Sequence, residues 1–105
     1  MTSSQTEQRQ AKRFTYICEA RCETPGRLST DLITTLSATG AWIETSDPPI
    51  EGAILILSFA VGSTMITTQA RVVHRQPGKG MGVAFQNLRP QHREAIMALS
   101  GDTPR

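Results

Sequence analysis

The first candidate binding residues form a basic cluster near the start of the chain. Arg9 and Arg13 are four positions apart, with Lys12 between them, just before the first predicted strand. Guanidinium groups pair with phosphate oxygens and with the O6/N7 edge of guanine, and their planes stack on bases. If this segment turns towards the folded domain, the two arginines converge on one ligand. Otherwise they form a solvated basic flank.

A second candidate lies in the turn Thr35-Leu36-Ser37-Ala38-Thr39-Gly40. Gly40 allows a positive φ or the close approach of another group to the backbone. The hydroxyls of Thr35 and Ser37 can order the turn or contact a ligand. An ordinary connection between two strands has the same composition, so the turn alone leaves both interpretations open.

Two ring-bearing residues lie on predicted strands. Trp42, the only tryptophan, alternates with Ala41 and Ile43, so we expect it to face away from them, towards a ligand or solvent. His74 follows Val72 in the alternation of the fifth predicted strand, which places both on one side. Stacking on a base is one role for these rings; barrel packing for Trp42 and a half-exposed histidine are the alternatives.

The composition excludes several classes of function. The chain has 105 residues, enough for one ordinary domain. Eleven Lys and Arg against nine Asp and Glu leave a net charge of +2. This balance argues against a dedicated binder of duplex nucleic acid, for which a domain pI above ~9 is expected. One Trp, one Tyr and three Phe are few for an OB-like binder of single strands.

Membrane insertion, catalysis and metal binding are also unsupported. The longest apolar stretches, residues 54–57 and 59–61, fall far short of the ~20 residues of a spanning helix, and no secretory signal is visible. We therefore expect a cytoplasmic protein. No nucleophile elbow, phosphate loop or carboxylate pair is present. Cys18 and Cys22 would lie about 13 Å apart on a strand, too far to pair. We expect no enzyme, no metal and no cofactor.

The elements that must position these residues are predicted from alternation and turn chemistry. Residues 1–8 are expected to be a flexible arm, 9–100 the domain and 101–105 a tail. Pro25-Gly26 and Gly62-Ser63 have the composition of tight turns. A helix is predicted from Pro90, with Ala95, Ile96 and Leu99 on its apolar stripe. Six or seven short antiparallel strands are expected, at 14–23, 41–44, 53–61, 64–75 and 81–85, with a second strand at Leu32-Ile33 within the mixed polar and apolar stretch 27–35.

Taken in this order, the motifs resemble those of the PilZ domain, a family of bacterial receptors for cyclic di-GMP. Arg9-Gln10-Ala11-Lys12-Arg13 matches the family's Arg-x-x-x-Arg, and Ser37-Ala38-Thr39-Gly40 matches the end of its Asp/Asn-x-Ser-x-x-Gly. The similarity continues through residues 41–44, 70–74 and 82–88 and covers about 9–99. It implies an all-β fold, a six-stranded antiparallel barrel followed by a C-terminal helix.

The resemblance implies a function as well as a fold. The implied function is a single-domain receptor that binds cyclic di-GMP and orders its arm around the ligand. The signal then passes to an unidentified effector protein, with motility, biofilm formation or a related process as the output. The implied ligand-binding residues are Arg9, Lys12, Arg13, Thr35, Ser37, Gly40, Trp42 and His74.

Two features depart from the family's pattern. Thr35 stands where the family has Asp or Asn, which leaves the second motif degenerate. In addition, Lys12-Arg13-Phe14-Thr15-Tyr16 fits a second register of the first motif, Arg-Arg-Phe-x-Arg, with Tyr16 in the place of the last arginine. The sequence does not choose between the registers. The alternative function is therefore a PilZ-type adaptor that no longer binds nucleotide and acts by protein–protein contact.

Overall fold

The computed structural model describes residues 12–99 as a closed antiparallel barrel with a C-terminal helix, which confirms the predicted fold class. Arg9, the predicted arm and the predicted tail lie outside the described residues. The barrel order is β1-β2-β3-β6-β5-β4. The elements are β1 (Phe14–Thr24), β2 (Arg27–Leu36), β3 (Gly40–Glu44), β4 (Ile54–Val61), β5 (Thr64–Gln76), β6 (Gly80–Gln86) and α1 (Pro90–Leu99).

The core is built from one side of each strand. In β5 every second residue from Ile66 to Val72 points inwards and is buried, while the residues between them are exposed. This is the alternation that the sequence predicts for a half-buried strand. Each large apolar side chain removed from water in this way contributes about 1.5–3 kcal/mol. The largest of these fully buried side chains are Phe59, Ile33, Leu36, Ile43, Leu55, Leu57 and Ile66.

Two tight turns join the antiparallel pairs as their sequences predict. Pro25-Gly26 connects β1 to β2, and Gly26 has a φ of 77°. Gly62-Ser63 connects β4 to β5, and Gly62 has a φ of 61°. A side chain at either glycine would have to adopt the left-handed region, which L-residues other than Asn and Asp rarely occupy.

The helix α1 closes the core with one side chain. Ile96 is fully buried and belongs to the core cluster, and α1 contacts β4 and β5. Ala95 packs against the same cluster, but Leu99 is 41% exposed. The predicted apolar stripe is therefore wrong at its end, because Leu99 lies one turn beyond Ile96, where the core no longer covers it. Within residues 12–99, no helix is long and apolar enough to cross a membrane.

The strand pairing contains three register shifts, one in β1 between Thr15 and Cys18 and two that bear on the outer face of the barrel. Thr34 is an extra residue of β2 opposite β3, and Val73 is an extra residue of β5 opposite β6. Each bulge moves the next residue to the other face of its strand. The expectation that His74 shares a side with Val72 is therefore wrong: Val72 is buried, whereas His74 is exposed on the outside of the barrel.

Candidate functional site

Four residues form a single row across the outside of the barrel. Thr35 pairs with Trp42, Trp42 with Gly82, and Gly82 with His74, so the row crosses β2, β3, β6 and β5. Neighbouring strands are ~4.8 Å apart, which makes the row about 14 Å long. The bulges at Thr34 and Val73 bring Thr35 and His74 into this row, because regular alternation would have turned both inwards.

The row lines an open cleft with a volume of about 390 Å³, which we name the Trp42 cleft. Six of the eight residues predicted from the sequence line it, although they come from four separate parts of the chain. Lys12 is exposed and is not among the lining residues, and Arg9 lies outside the described part of the chain. The six lining residues are Arg13, Thr35, Ser37, Gly40, Trp42 and His74.

The indole of Trp42 packs over two glycines of β6 and lies beside the imidazole of His74. A Cβ built on Gly80 would lie 3.0 Å from Cζ2 of Trp42, and one on Gly82 would lie 3.6 Å from Cε3, so the indole lies across the backbone of β6. The ring centroids of Trp42 and His74 are 6.3 Å apart and the planes are tilted by 40°. Together the rings provide a flat, partly apolar surface of the kind on which bases stack.

Ser37 organises the turn between β2 and β3. It is only 4% exposed, and its Oγ accepts hydrogen bonds from the backbone N–H groups of Thr39 (3.2 Å) and Gly40 (3.1 Å). The same Oγ lies 3.3 Å from the carbonyl oxygen of Gly40, to which it can donate. One donor and two acceptor positions are the full capacity of a hydroxyl. Ser37 therefore shapes the cleft instead of offering a free hydroxyl to a ligand.

Gly40 is held where no larger residue fits. A Cβ at this position would collide with the carbonyl oxygen of Val83 on the neighbouring strand β6. The turn is also tied to β6 by a hydrogen bond of 2.9 Å from the N–H of Phe85 to the carbonyl oxygen of Thr39. The close backbone approach predicted for Gly40 is thus directed at the barrel itself.

The charge of the cleft is positive. Arg13, immediately before β1, is the one Lys or Arg side chain among the described lining residues, and none of them is Asp or Glu. A guanidinium is a permanent cation with five donors in a planar fork. The arrangement therefore suits an anion that also carries flat rings.

Sequence reasoning missed two lining residues that define the cleft. Gly82 lies in the row between Trp42 and His74, and Val73 is the bulge that turns His74 outwards. Isolated glycines in a strand are a recognised sign of a close approach, so Gly80 and Gly82 carried a usable signal. Val73 carried none, since a β-branched residue in a strand is also the most ordinary choice.

A second open concavity lies on the outside of β1, β4 and β5. This Met65 groove has a volume of about 490 Å³ and is lined in part by Glu19, Arg21, Ser58, Met65 and Thr67. The hydroxyls of Ser58 and Thr67 bond to each other at 3.0 Å on its floor. The strand pairing beneath it, from β1 to β4 and from β4 to β5, contains no register shift.

Burial raises the pKa values of two thiols in β1. Burial, helped by the nearby carboxylate of Asp31, raises the pKa of Cys22 to about 12, and burial also raises the pKa of Cys18. Both cysteines are free. Among residues 12–99, no three His, Cys, Asp or Glu side chains are grouped closely enough to hold a metal ion.

Known proteins share this architecture. The family model described as PilZ domain matches residues 7–101. The Bacillus subtilis inhibitor of motility MotI/DgrA superimposes with a TM-score of 0.74 at 16% identity over 86% of this chain and 47% of its own. Borreliella burgdorferi PlzA, solved in complex with c-di-GMP, superimposes with a TM-score of 0.70 at 19% identity, over 90% of this chain and 42% of its own.

A third structure is matched over almost its whole length. The PilZ domain of CeSA from a cellulose-synthesizing bacterium gives a TM-score of 0.67 at 15% identity, over 85% of this chain and 94% of that one. The chain thus spans less than half of MotI and PlzA but nearly all of the isolated domain. No curated protein matches the sequence significantly.

Proposed function

This chain belongs to the PilZ domain family, and on that basis we propose that its Trp42 cleft binds cyclic di-GMP and that the protein relays this binding to a protein partner. The observation that carries the proposal is the convergence of six predicted residues on one cleft. PlzA, whose fold is similar, was solved in complex with the same ligand, which supports the assignment.

The proposed ligand matches the chemistry of the cleft. Cyclic di-GMP carries two phosphates and two guanines, so it needs both a cation and flat surfaces. A guanine that stacks on Trp42 and His74 gains about 1–3 kcal/mol. The guanidinium of Arg13 is placed to pair with a phosphate or with the O6/N7 edge of a base.

We extend the binding site to the residues that precede Arg13. Four extended residues span at most about 14 Å, which equals the length of the row from Thr35 to His74. The proposal therefore includes Arg9 and Lys12 among the residues that contact the ligand. Closure of this segment over the ligand would change the outer surface, which an effector protein can then recognise.

In this proposal a partner protein produces the output. We place the partner among bacterial proteins of motility or biofilm formation. The support is by analogy: MotI is an inhibitor of motility, and the CeSA domain comes from a cellulose-synthesizing bacterium.

Calorimetric titration with cyclic di-GMP at near-physiological salt tests the proposal. We expect a dissociation constant in the micromolar range or below. Arg13→Ala should weaken binding about 10- to 100-fold, because hydrogen bonds to a charged group contribute about 1.5–3 kcal/mol. Combined with Arg9→Ala, it should abolish binding.

The matched control is Arg21→Ala, which removes an exposed arginine of β1 from the Met65 groove. It should leave the affinity for cyclic di-GMP unchanged. Absence of heat and of chemical-shift changes at millimolar ligand would contradict the proposal, as would equal losses from Arg13→Ala and Arg21→Ala.

A second candidate function is the nucleotide-independent adaptor. Thr35 favours it, since a hydroxyl gives a guanine edge weaker hydrogen bonds than a carboxylate would. In that case the wild-type protein would give no titration heat, and substitutions of exposed barrel residues, not of Arg9 and Arg13, would change its partner binding. Pull-down of the partner with and without cyclic di-GMP separates the two functions.

A further inference from the structure

The described lining residues of the Trp42 cleft include no acidic and no amide side chain. Their side chains offer hydroxyls, one guanidinium and one imidazole. Ser37 is occupied within its turn and Thr39 shares a 3.2 Å hydrogen bond with it. The hydroxyl of Thr35, which pairs with Trp42 in the row, takes no part in that turn network.

This chemistry bears directly on the choice between purine bases. The edge of guanine presents the N1–H and N2–H₂ donors beside O6, whereas adenine presents an N6–H₂ donor beside the acceptor N1. An ionised carboxylate only accepts, so it would bond the guanine donors and repel the N1 of adenine. A hydroxyl both donates and accepts, and therefore serves either base.

The other contacts in the cleft do not restore the distinction. Stacking on Trp42 and His74 is tolerant of base identity, because every base has a π-face. Arg13 would favour guanine only through a bidentate contact with O6 and N7 together, and in this inference it pairs with a phosphate of the ligand instead. Its pairing with a phosphate is independent of the base.

We propose that the Trp42 cleft takes purine cyclic dinucleotides as a class, with little selectivity between guanine and adenine, and that Thr35 is the residue that sets this selectivity. The inference rests on the proposed function. It widens the ligand from cyclic di-GMP to include cyclic di-AMP and the mixed cyclic GMP–AMP, and it assigns Thr35 as the specificity-determining position of the row.

The test compares the dissociation constants of the wild-type protein for cyclic di-GMP, cyclic GMP–AMP and cyclic di-AMP in one buffer. We expect the three values to lie within about tenfold of one another. Thr35→Asp should then raise the preference for cyclic di-GMP over cyclic di-AMP at least tenfold, since charge-assisted hydrogen bonds are roughly twice as strong as neutral ones.

Two further variants keep the test decisive. Thr67→Asp adds the same charge on β5 in the Met65 groove and should leave the preference unchanged. Thr35→Val removes the hydroxyl with almost no change of shape, so it should weaken both homodinucleotides by similar factors. This variant gives a result even if Thr35→Asp proves too unstable, which circular dichroism would reveal.

The outcomes separate the two proposals. No binding of any cyclic dinucleotide overturns the proposed function and this inference with it. Binding of cyclic di-GMP with a wild-type preference of more than tenfold over cyclic di-AMP leaves the proposed function in place and overturns the inference. An unchanged preference in a folded Thr35→Asp variant overturns the role assigned to Thr35.

Discussion

The Trp42 cleft and the Met65 groove are two open concavities of similar size on one barrel, about 390 Å³ and 490 Å³. Their construction differs. The groove lies over strands in regular register, and hydroxyls, a methionine and charges of both signs line it. The cleft lies where two bulges and two glycines break the regular pattern. The volume of a concavity therefore does not distinguish the candidate site from the groove, whereas the local irregularity of the sheet beneath it does.

The difference has a mechanical cause. On a regular strand, alternation fixes which residues face inwards and which face outwards. A row of outward residues then consists of ordinary solvent-exposed side chains. A bulge adds one residue and redirects those that follow. Thr34 and Val73 do this on β2 and β5, the two strands that flank β3 and β6. The result is a row of four outward residues, Thr35, Trp42, Gly82 and His74.

The largest contrast should come from glycine substitutions. Gly40→Ala places a Cβ against the carbonyl oxygen of Val83, and we expect a loss of about 3 kcal/mol in the free energy of unfolding, the upper end for overpacking. Gly62→Ala, beside the Met65 groove, meets no atom within 4 Å and should cost only about 1 kcal/mol for its positive φ. Urea denaturation measures both, and equal losses would remove the contrast.

Removal of the largest side chain from each concavity compares them as ligand sites. Trp42→Ala should weaken the binding of cyclic di-GMP about 5- to 150-fold, which is the equivalent of one lost stacking contact of about 1–3 kcal/mol. Met65→Ala truncates a side chain that is 63% exposed and should leave the affinity unchanged. Calorimetry measures both affinities.

The single tryptophan gives an independent readout of the same comparison. Because Trp42 is the only Trp in the sequence, its fluorescence reports on the cleft alone. We expect quenching on addition of cyclic di-GMP in the wild type and in Met65→Ala. Binding heat without any change in fluorescence would place the ligand elsewhere on the barrel.

Two serines give a smaller contrast. Ser37→Ala leaves the N–H groups of Thr39 and Gly40 without their acceptor in a part-buried turn, and we expect a loss of about 1 kcal/mol in stability. Ser58→Ala breaks one exposed hydroxyl pair with Thr67 and should stay within about 0.5 kcal/mol. A Ser37→Ala protein as stable as Ser58→Ala would show that the turn does not depend on its hydroxyl.

The buried Cys22 provides a pH-dependent contribution to stability that substitutions in the two concavities should not change. The pKa of Cys22 is raised from its ordinary 9.0 to about 12 in the folded state, so its contribution to stability is present below pH 9 and is lost as the pH rises towards 12. Stability of the wild type should therefore fall more steeply over this range than that of Cys22→Ala. Identical slopes would contradict the shift.

The strands and their turns could be predicted almost to the residue, and the reason is local. Alternation marked β4 and β5, and Gly62-Ser63 marked the turn between them. The candidate site was predicted as a set of residues but not as a row. The side on which His74 lies depends on the extra residue Val73, and neither its identity nor its spacing distinguishes a bulge from a regular strand position.

The role of Ser37 also required the structure. A serine in a turn can face a ligand or its own backbone, and the sequence Ser37-Ala38-Thr39-Gly40 permits both. The distances to the N–H groups of Thr39 and Gly40 decide in favour of the backbone. Such choices depend on tenths of an ångström, which composition and spacing do not encode.

Closure of the barrel limits how a partner can recognise this chain. In residues 12–99 every strand has a neighbour on both sides, so no strand is an edge over its whole length. Residues 14–19, 27–31 and 64–67 are paired along one side only. Addition of a strand by a partner, a common mode of peptide capture, is therefore limited to short stretches of this kind. Over the rest of the barrel a partner must recognise outward side chains, so a ligand that covers the Trp42 cleft changes what such a partner contacts.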